Sequence, residues 1–183
     1  MPGGQQYVDA VQRVWEEGDA VLPVDQRLPK ETQKQLIKEM GASGVVDSSG
    51  SSSLEGIAVE SGDALVVATS GSTGQPKGVV LTHESLMANA EATNDFLEVD
   101  PAVDKWLACL PLSHVGGFSV VVRALHSGAP LEVHNGFDAD AVMTAAQEGT
   151  TLVSLVPTAL QRIDSSLFRR VLVGGSSVPE QRP

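Results

Sequence analysis

The densest group of residues able to do chemistry is the stretch Thr69–Gly78, which reads Thr-Ser-Gly-Ser-Thr-Gly-Gln-Pro-Lys-Gly. Its three glycines let the backbone take positive φ angles and approach a ligand closely. Successive backbone N–H groups in such a turn form a concave anion site, and four hydroxyl groups add donors. Lys77 supplies a cation in a chain whose formal net charge is −11. The stretch therefore predicts a phosphate-binding loop.

Other nucleotide and nucleophile motifs do not fit this sequence. A Walker A loop requires Gly-Lys followed by Ser or Thr, whereas Lys77 lies between Pro76 and Gly78. The dinucleotide fingerprint Gly-x-Gly-x-x-Gly and the nucleophile elbow Gly-x-Ser-x-Gly are both absent. The remaining alternative is a flexible Ser/Gly linker like residues 48–53. A linker accounts for neither the proline and lysine nor the strands expected on both sides.

The elements that must position this loop alternate between short apolar strands and amphipathic helices. Ala64–Ala68 is a continuous apolar run, which predicts a strand covered on both faces. Val79–Leu81 predicts a further strand, and Thr82 is a candidate N-cap for the helix that reaches Leu97. Further strands are expected at 106–110, 130–134, 151–156 and 170–173, with helices at about 115–126, at 138–147 and from Pro157. This order predicts an α/β fold, a layered and largely parallel sheet flanked by helices.

Two regions are expected along the chain. Residues 1–62 form a predicted N-terminal α/β segment, with helices at 5–17 and about 31–40 and a brief strand at 44–46. A Ser/Gly-rich stretch at 47–56 is expected to be a mobile connection. Residues 63–183 form the predicted core subdomain, and the apolar strand and Gly-Gly turn just before Pro183 suggest that this subdomain is truncated.

Composition limits the class of protein. The 12 Lys and Arg against 23 Asp and Glu argue against a nucleic-acid partner, because no basic face can dominate. No apolar run approaches the ~20 residues of a membrane span, and the first residues do not read as a signal peptide. The lone cysteine, Cys109, lies in an apolar strand and predicts a core residue rather than a nucleophile. We therefore expect a cytoplasmic protein. The acidic cluster of Asp95, Glu98, Asp100 and Asp104 is expected at a solvated helix end.

The stretch Thr69–Gly78 resembles the signature loop of the adenylate-forming superfamily of acyl-CoA synthetases, peptide-synthetase adenylation domains and luciferases. The resemblance implies part of a large N-terminal domain whose loop clasps the β- and γ-phosphates of ATP. Position by position it assigns this role to Thr69, Ser70, Gly71, Ser72, Thr73, Gly74 and Lys77, with Lys77 also catalytic. It implies activation of a small-molecule carboxylic acid as an acyl-adenylate, followed by thioester formation with coenzyme A. Mg²⁺ would be held through the phosphates and residues outside this chain, and no residue here is assigned to metal.

A second family-like stretch is Leu110–Gly117, in which the resemblance places His114 at the acyl pocket near the α-phosphate as a catalytic and substrate-binding candidate. The residues alone also permit a histidine that caps the helix beginning near Val115. Gly116 and Gly117 would allow a ligand to approach closely. The turn Gly174-Gly175 resembles the family's turn beside the adenine and acyl group, although a plain strand-to-helix turn fits the same residues.

Arg123 follows the apolar run Val120–Val122, so it either extends to solvent or reads a carboxylate inside a pocket. Leu-Pro-Leu-x-His-Val-x-Gly with an arginine nine residues after the histidine resembles the o-succinylbenzoate–CoA ligases of menaquinone synthesis. Their substrate is a dicarboxylate, which implies that Arg123 holds the carboxylate that is not activated.

The family pattern continues beyond Pro183, so we expect an N-terminal fragment that binds ATP weakly and does not turn over alone. Three alternatives stay open: a fatty or aryl acid–CoA ligase, a peptide-synthetase adenylation domain, and a non-catalytic fragment. The residues do not specify the acid or the oligomeric state.

Overall fold

The structure is a computed structural model that describes residues 3–70 and 76–176. It divides into two compact units, with the boundary between Leu86 and Met87. The sequence places a boundary nearer residue 62. The later position has a local reason: the strand that follows Gly62 is bonded to Val21, through Val21 N to Ala64 O at 2.9 Å and Val66 N to Val21 O at 2.8 Å.

The first unit contains two helices and two antiparallel hairpins. Its elements are α1 (Gln5–Glu16), α2 (Lys30–Glu39), β1 (Gly44–Asp47), β2 (Gly50–Ser53), β3 (Asp63–Ser70) and β4 (Pro76–Thr82). Helix α1 packs its apolar stripe inward, with Val8 and Val11 buried. Trp15 of α1 donates its indole N–H to the carbonyl of Ala64 at 2.8 Å, which fixes the helix against the start of β3.

The Ser/Gly-rich stretch after Val46 is not an unstructured connection at residues 50–53. These residues form β2, which pairs antiparallel with β1 from Gly44↔Ser53 to Asp47↔Gly50. Asp47 closes the turn by accepting hydrogen bonds from the Ser49 N–H at 2.7 Å and the Ser49 hydroxyl at 2.5 Å. Asp at the start of a turn and Gly at its end form a recognised turn signal, which the run of serines obscured.

Strands β3 and β4 also form an antiparallel hairpin, in continuous register from Leu65↔Leu81 to Ser70↔Pro76, with a register shift between Asp63 and Leu65. The sequence predicts a strand covered on both faces, and this holds only for its start, where Ala64 and Leu65 are fully buried. Val79 and Val80 of β4 are 45% and 50% exposed. A short apolar run does not distinguish a buried parallel strand from a hairpin strand, because neither requires alternation.

The second unit confirms the predicted α/β fold. Helix α3 (His83–Leu97) begins a few residues before the boundary of the second unit. At its start the Thr82 hydroxyl accepts from the Ser85 N–H at 3.2 Å. The elements that follow are β5 (Trp106–Ala108), α4 (Val115–Ser127), β6 (Leu131–Val133), α5 (Ala139–Gln147), β7 (Leu152–Leu155), α6 (Pro157–Leu160) and β8 (Arg170–Val173). The four strands are parallel in the order β6-β5-β7-β8. The β-α periodicity therefore predicted both the element types and the parallel sheet.

One member of the acidic cluster is not solvated. Asp104 is 2% exposed and accepts hydrogen bonds from Arg169 Nε at 2.8 Å, the Thr151 hydroxyl at 2.7 Å and the Asp100 N–H at 2.9 Å. Arg169 also donates to the carbonyl of Glu98 at 3.0 Å, near the C-terminal end of α3. Burial alone would raise the pKa of Asp104, but the bonds from Arg169, Asp100 and Thr151 outweigh it and lower the pKa below its ordinary value.

We expect Asp104→Asn to lower the free energy of unfolding by about 2 kcal/mol at pH 7, because it removes the charge that Arg169 neutralises. A carboxylate with a lowered folded pKa stabilises the fold above its unfolded pKa, about 3.9, and this stability is lost as the pH falls through the folded value. Urea unfolding at pH 7 and pH 3 measures both. If the free energies of unfolding of the unchanged chain and Asp104→Asn differ by the same amount at both pH values, the prediction is contradicted.

Candidate functional site

The end of the β3–β4 hairpin at Ser70 and Pro76 carries the described part of the predicted phosphate site. Thr69 and Lys77 are directly opposite each other in the antiparallel register, so their side chains emerge on the same face. Both residues are exposed, and the Thr69 hydroxyl donates to the Lys77 carbonyl at 3.1 Å. In the part of the chain that the structure describes, Lys77 forms no ion pair. The exposed ammonium of Lys77 suits a phosphate oxygen, whereas the Thr69 hydroxyl proton is engaged with the Lys77 carbonyl.

Other members of the predicted loop are not part of this geometry. Gly71, Ser72, Thr73 and Gly74 lie outside the described residues, and Ser70 is described only by its backbone, opposite Pro76. Gly78 is described and exposed, but the space on the side where a Cβ atom would stand is narrow. A Cβ atom built there would lie 3.0 Å from Val66 Cγ1 and 3.1 Å from Met40 Sδ. The glycine of β4 therefore allows close packing against the body of its own unit.

His114 is exposed at the N-terminus of α4. Its carbonyl accepts from the N–H groups of Gly117 at 3.1 Å and Phe118 at 3.0 Å, so its backbone forms the N-cap. Its side chain makes no capping hydrogen bond. The side-chain capping alternative is therefore removed, and the imidazole is accessible to a ligand.

Gly116 and Gly117 differ sharply in their surroundings. Gly116 is exposed, and a Cβ atom added to it would meet nothing within 4 Å. A Cβ atom on Gly117 would lie 2.3 Å from the carbonyl oxygen of Pro111 and 2.8 Å from that of Leu110. Gly117 thus lets the first turn of α4 close onto the Leu110–Pro111 backbone, whereas the open space for a ligand is at Gly116.

Arg123 does not extend to solvent. It is 7% exposed, and its guanidinium donates from Nη1 to the Ser154 hydroxyl at 3.3 Å and from Nη2 to Asn89 Oδ1 at 3.4 Å. Its Cζ lies 5.9 Å from the ring centroid of Trp106, within the range of a cation–π contact. Burial lowers the pKa of Arg123 from its ordinary value. Among the described residues no carboxylate pairs with it.

Sequence reasoning missed the neighbours of Arg123. Ser154 is 5% exposed within the fully buried strand β7, and Asn89 is a polar residue of α3 that faces Arg123. A serine inside the apolar run Leu152–Leu155 was a signal that could have marked the site, because a buried hydroxyl needs a polar partner. Nothing in the sequence pairs Asn89 with Arg123, since 34 residues separate them.

The turn after β8 follows the expected pattern in part. The Gly174 N–H donates to the Leu155 carbonyl at 3.1 Å, which extends the β7–β8 pairing by one bond. Gly175 has φ of 91°, a conformation that favours glycine. Residues beyond Ser176 lie outside the described part of the chain.

The described residues offer neither a reactive thiol nor a metal site. Cys109 is fully buried, and burial raises its pKa to about 12, so its thiol stays protonated at neutral pH, as expected of a core residue. Within residues 3–70 and 76–176, no group of three or more His, Cys, Asp or Glu could hold a metal ion. None of the helices described there is both long and apolar enough to cross a membrane.

One unit is built on a parallel α/β sheet and the other contains a hairpin that exposes Lys77, so the protein belongs to the α/β class. The model of the AMP-binding enzyme family matches residues 55–182. This match covers both the hairpin and the sheet, and the chain belongs to the AMP-binding enzyme family.

Individual relatives are acid–CoA ligases. The 2-succinylbenzoate–CoA ligase of Enterococcus faecalis is 36% identical over 124 residues, which cover 63% of this chain and 25% of the relative. The indoleacetate–CoA ligase of Aromatoleum aromaticum is 41% identical over 128 residues, 64% of this chain and 25% of the relative. The chain thus spans about a quarter of the length of these curated relatives.

Among solved structures, the O-succinylbenzoate coenzyme A synthetase of Bacillus subtilis in complex with ATP and magnesium ion has a TM-score of 0.79. It is 22% identical, and the alignment covers 99% of this chain and 56% of that chain. At this identity the likeness shows the fold alone. The chain therefore shares an α/β fold with this synthetase over 99% of its length.

Proposed function

We propose that this sequence carries the ATP-binding and acid-binding residues of an AMP-forming acid–CoA ligase, and that the acid is o-succinylbenzoate. Membership of the AMP-binding enzyme family supports the reaction class. The observation that carries the substrate is Arg123, a buried guanidinium with no carboxylate partner among the described residues. A buried charge without a counter-ion costs several kcal/mol, which a substrate carboxylate would offset.

The ATP site is proposed at the end of the β3–β4 hairpin. Lys77 and Thr69 would contact the β- and γ-phosphates, together with Ser70, Gly71, Ser72, Thr73 and Gly74. The exposed ammonium of Lys77 fits an anion. Gly174 and Gly175 would lie against the adenine and acyl group. Mg²⁺ would be bound through the phosphates of ATP.

The proposed reaction has two steps. An oxygen of the substrate carboxylate attacks the α-phosphorus of ATP, the bond to the bridging oxygen breaks, and pyrophosphate leaves with part of its charge neutralised by Lys77. Mg²⁺, when bound to the phosphates, would supply further positive charge. The thiolate sulfur of coenzyme A then attacks the carbonyl carbon of the acyl-adenylate, and AMP leaves. His114 and Gly116, at the exposed start of α4, are proposed to contact the acyl group. Gly117 would act through backbone packing.

We place this activity in the cytoplasm, within menaquinone synthesis, with small molecules as partners. The excess of acidic residues supports the absence of a nucleic-acid partner, because a basic face is lacking. Pyrophosphate release by the whole protein that carries this sequence, dependent on o-succinylbenzoate and ATP, is the direct test. We expect the 183 residues alone to release none, and release by them would contradict the fragment expectation.

Arg123→Ala should raise the KM for o-succinylbenzoate about 10- to 100-fold in the whole protein, because a charge-assisted hydrogen bond to the second carboxylate is lost. The kcat with benzoate, which lacks that carboxylate, should change little. Arg162→Ala is the matched control, since Arg162 is an exposed arginine of the same unit. Equal activity of the unchanged protein with both acids would contradict the dicarboxylate proposal.

An aryl monocarboxylic acid is the second candidate substrate. It is favoured by the 41% identity to the indoleacetate–CoA ligase, which is higher than the 36% to the 2-succinylbenzoate–CoA ligase. Buried Arg123 argues against it, because a monocarboxylate would leave the guanidinium unpaired once its only carboxylate is activated. Comparing indoleacetate with o-succinylbenzoate in the same pyrophosphate assay separates the two.

A further inference from the structure

The acceptors of the Arg123 guanidinium are neutral and distant. Asn89 Oδ1 at 3.4 Å and the Ser154 hydroxyl at 3.3 Å both lie beyond the usual 2.7–3.2 Å of an N–H···O hydrogen bond. The Nε atom of Arg123 is buried and has no acceptor among the described residues. The side chain is held in place by these contacts and by Trp106, but its charge is not neutralised. Such a guanidinium is ready for a stronger acceptor.

The neighbours of Arg123 differ in their access to solvent. Ser154 and Trp106 are 5% and 0% exposed, whereas Asn89 is an exposed residue of α3. The contact of Nη2 with Asn89 is part-buried, whereas the contact of Nη1 with Ser154 is buried, so the Asn89 side of the guanidinium lies nearer to solvent. An asparagine amide oxygen matches one carboxylate oxygen in shape and hydrogen-bonding geometry, but it carries no full charge.

We infer that Asn89 is a specificity-determining residue of the acid site, whose amide oxygen occupies the position that the second carboxylate of the substrate takes on binding. This inference rests on the proposed function, since it takes Arg123 as the residue that binds that carboxylate. Asn89 contacts the guanidinium without cancelling its charge. A charged residue at position 89 would neutralise Arg123 and exclude the dicarboxylate.

The test is Asn89→Asp, which changes one amide to a carboxylate of nearly the same shape. In the 183-residue chain, the internal ion pair should raise the thermal midpoint by about 2–4 °C. It should also weaken the binding of o-succinylbenzoate, measured by calorimetry, about 10-fold or more, because the ligand must displace a charged competitor. Benzoate binding should not change. Ala88→Asp, an exposed neighbour on the same helix, adds the same charge and should show neither effect.

Asn89→Ala gives an independent check. It removes the amide oxygen without adding charge, so o-succinylbenzoate should bind at least as tightly as to the unchanged chain. A 10-fold loss in this variant would mean that the asparagine contacts the ligand itself, and would overturn the inference. So would an Asn89→Asp chain that keeps its affinity for o-succinylbenzoate, or an unchanged chain that binds no o-succinylbenzoate.

The proposed function fails by a different result. If the whole protein releases pyrophosphate with o-succinylbenzoate and Asn89→Asp leaves the preference over benzoate intact, only the role of Asn89 is overturned. If the whole protein releases none, while Asn89→Asp stabilises the chain and blocks o-succinylbenzoate, the anion site at Arg123 stands and the ligase proposal falls.

Discussion

Lys77→Ala should slow adenylation by about 100- to 1,000-fold in the whole protein that carries this sequence, the cost of removing one preorganised group that stabilises developing charge. Lys77 is exposed, stands opposite Thr69, and forms no ion pair with the described residues. In a chain with a net charge of −11, the pyrophosphate that leaves needs a local cation. ATP–pyrophosphate exchange measures the step before coenzyme A reacts, so it isolates this effect.

The control for this prediction is Lys34→Ala. Lys34 is an exposed lysine of the same unit, paired with Glu31 at 2.8 Å, and its removal changes the net charge by the same amount. We expect the exchange rate of this variant to stay within about 2-fold, because surface pairs of this kind contribute little. A Lys77→Ala protein as active as Lys34→Ala would remove Lys77 from the reaction. Thr69→Ala should fall between the two, because the Thr69 hydroxyl bonds the Lys77 carbonyl and so holds the backbone that carries the lysine.

The second unit was predictable because its signals are local. Each strand is a short apolar run, and each helix has a 3.6-residue stripe, so the order β5-α4-β6-α5-β7-α6-β8 follows from periodicity. The first unit was less predictable from the sequence. Antiparallel pairing in β1–β2 and β3–β4 depends on turns, and the signal of Asp47 and Gly50 was hidden in a run of serines.

The candidate site divides in the same way. Lys77, His114 and Arg123 could be named as candidates because each belongs to a motif with fixed spacing along the chain. Asn89, Ser154 and Trp106 could not, because they meet Arg123 only through the packing of α3, β7 and β5. The burial of Arg123 itself could not be predicted either, since an arginine beside valines is equally compatible with solvent exposure.

Gly117→Ala should lower the free energy of unfolding by about 2 kcal/mol or more, although alanine is the better helix former. The added Cβ would lie 2.3 Å from the Pro111 carbonyl oxygen, a backbone atom that cannot rotate away, so α4 and the Leu110–Pro111 segment must separate. Gly116→Ala is the matched control, one residue earlier in open space. It should stabilise the chain, by up to about 1 kcal/mol, through helix propensity alone.

Changes of opposite sign in the free energy of unfolding, at two adjacent glycines, would distinguish a packing role from a role in admitting the ligand. If Gly117 served only to admit a ligand, both alanine variants would be at least as stable as the unchanged chain, and both would lose affinity. Urea unfolding of the two variants decides this, and a stable Gly117→Ala chain would contradict the packing role. The separation of α4 in Gly117→Ala should also displace His114, whose carbonyl caps the same turn. Its affinity for the acid should therefore fall together with its stability, whereas Gly116→Ala should reduce affinity only where the new methyl group meets the ligand.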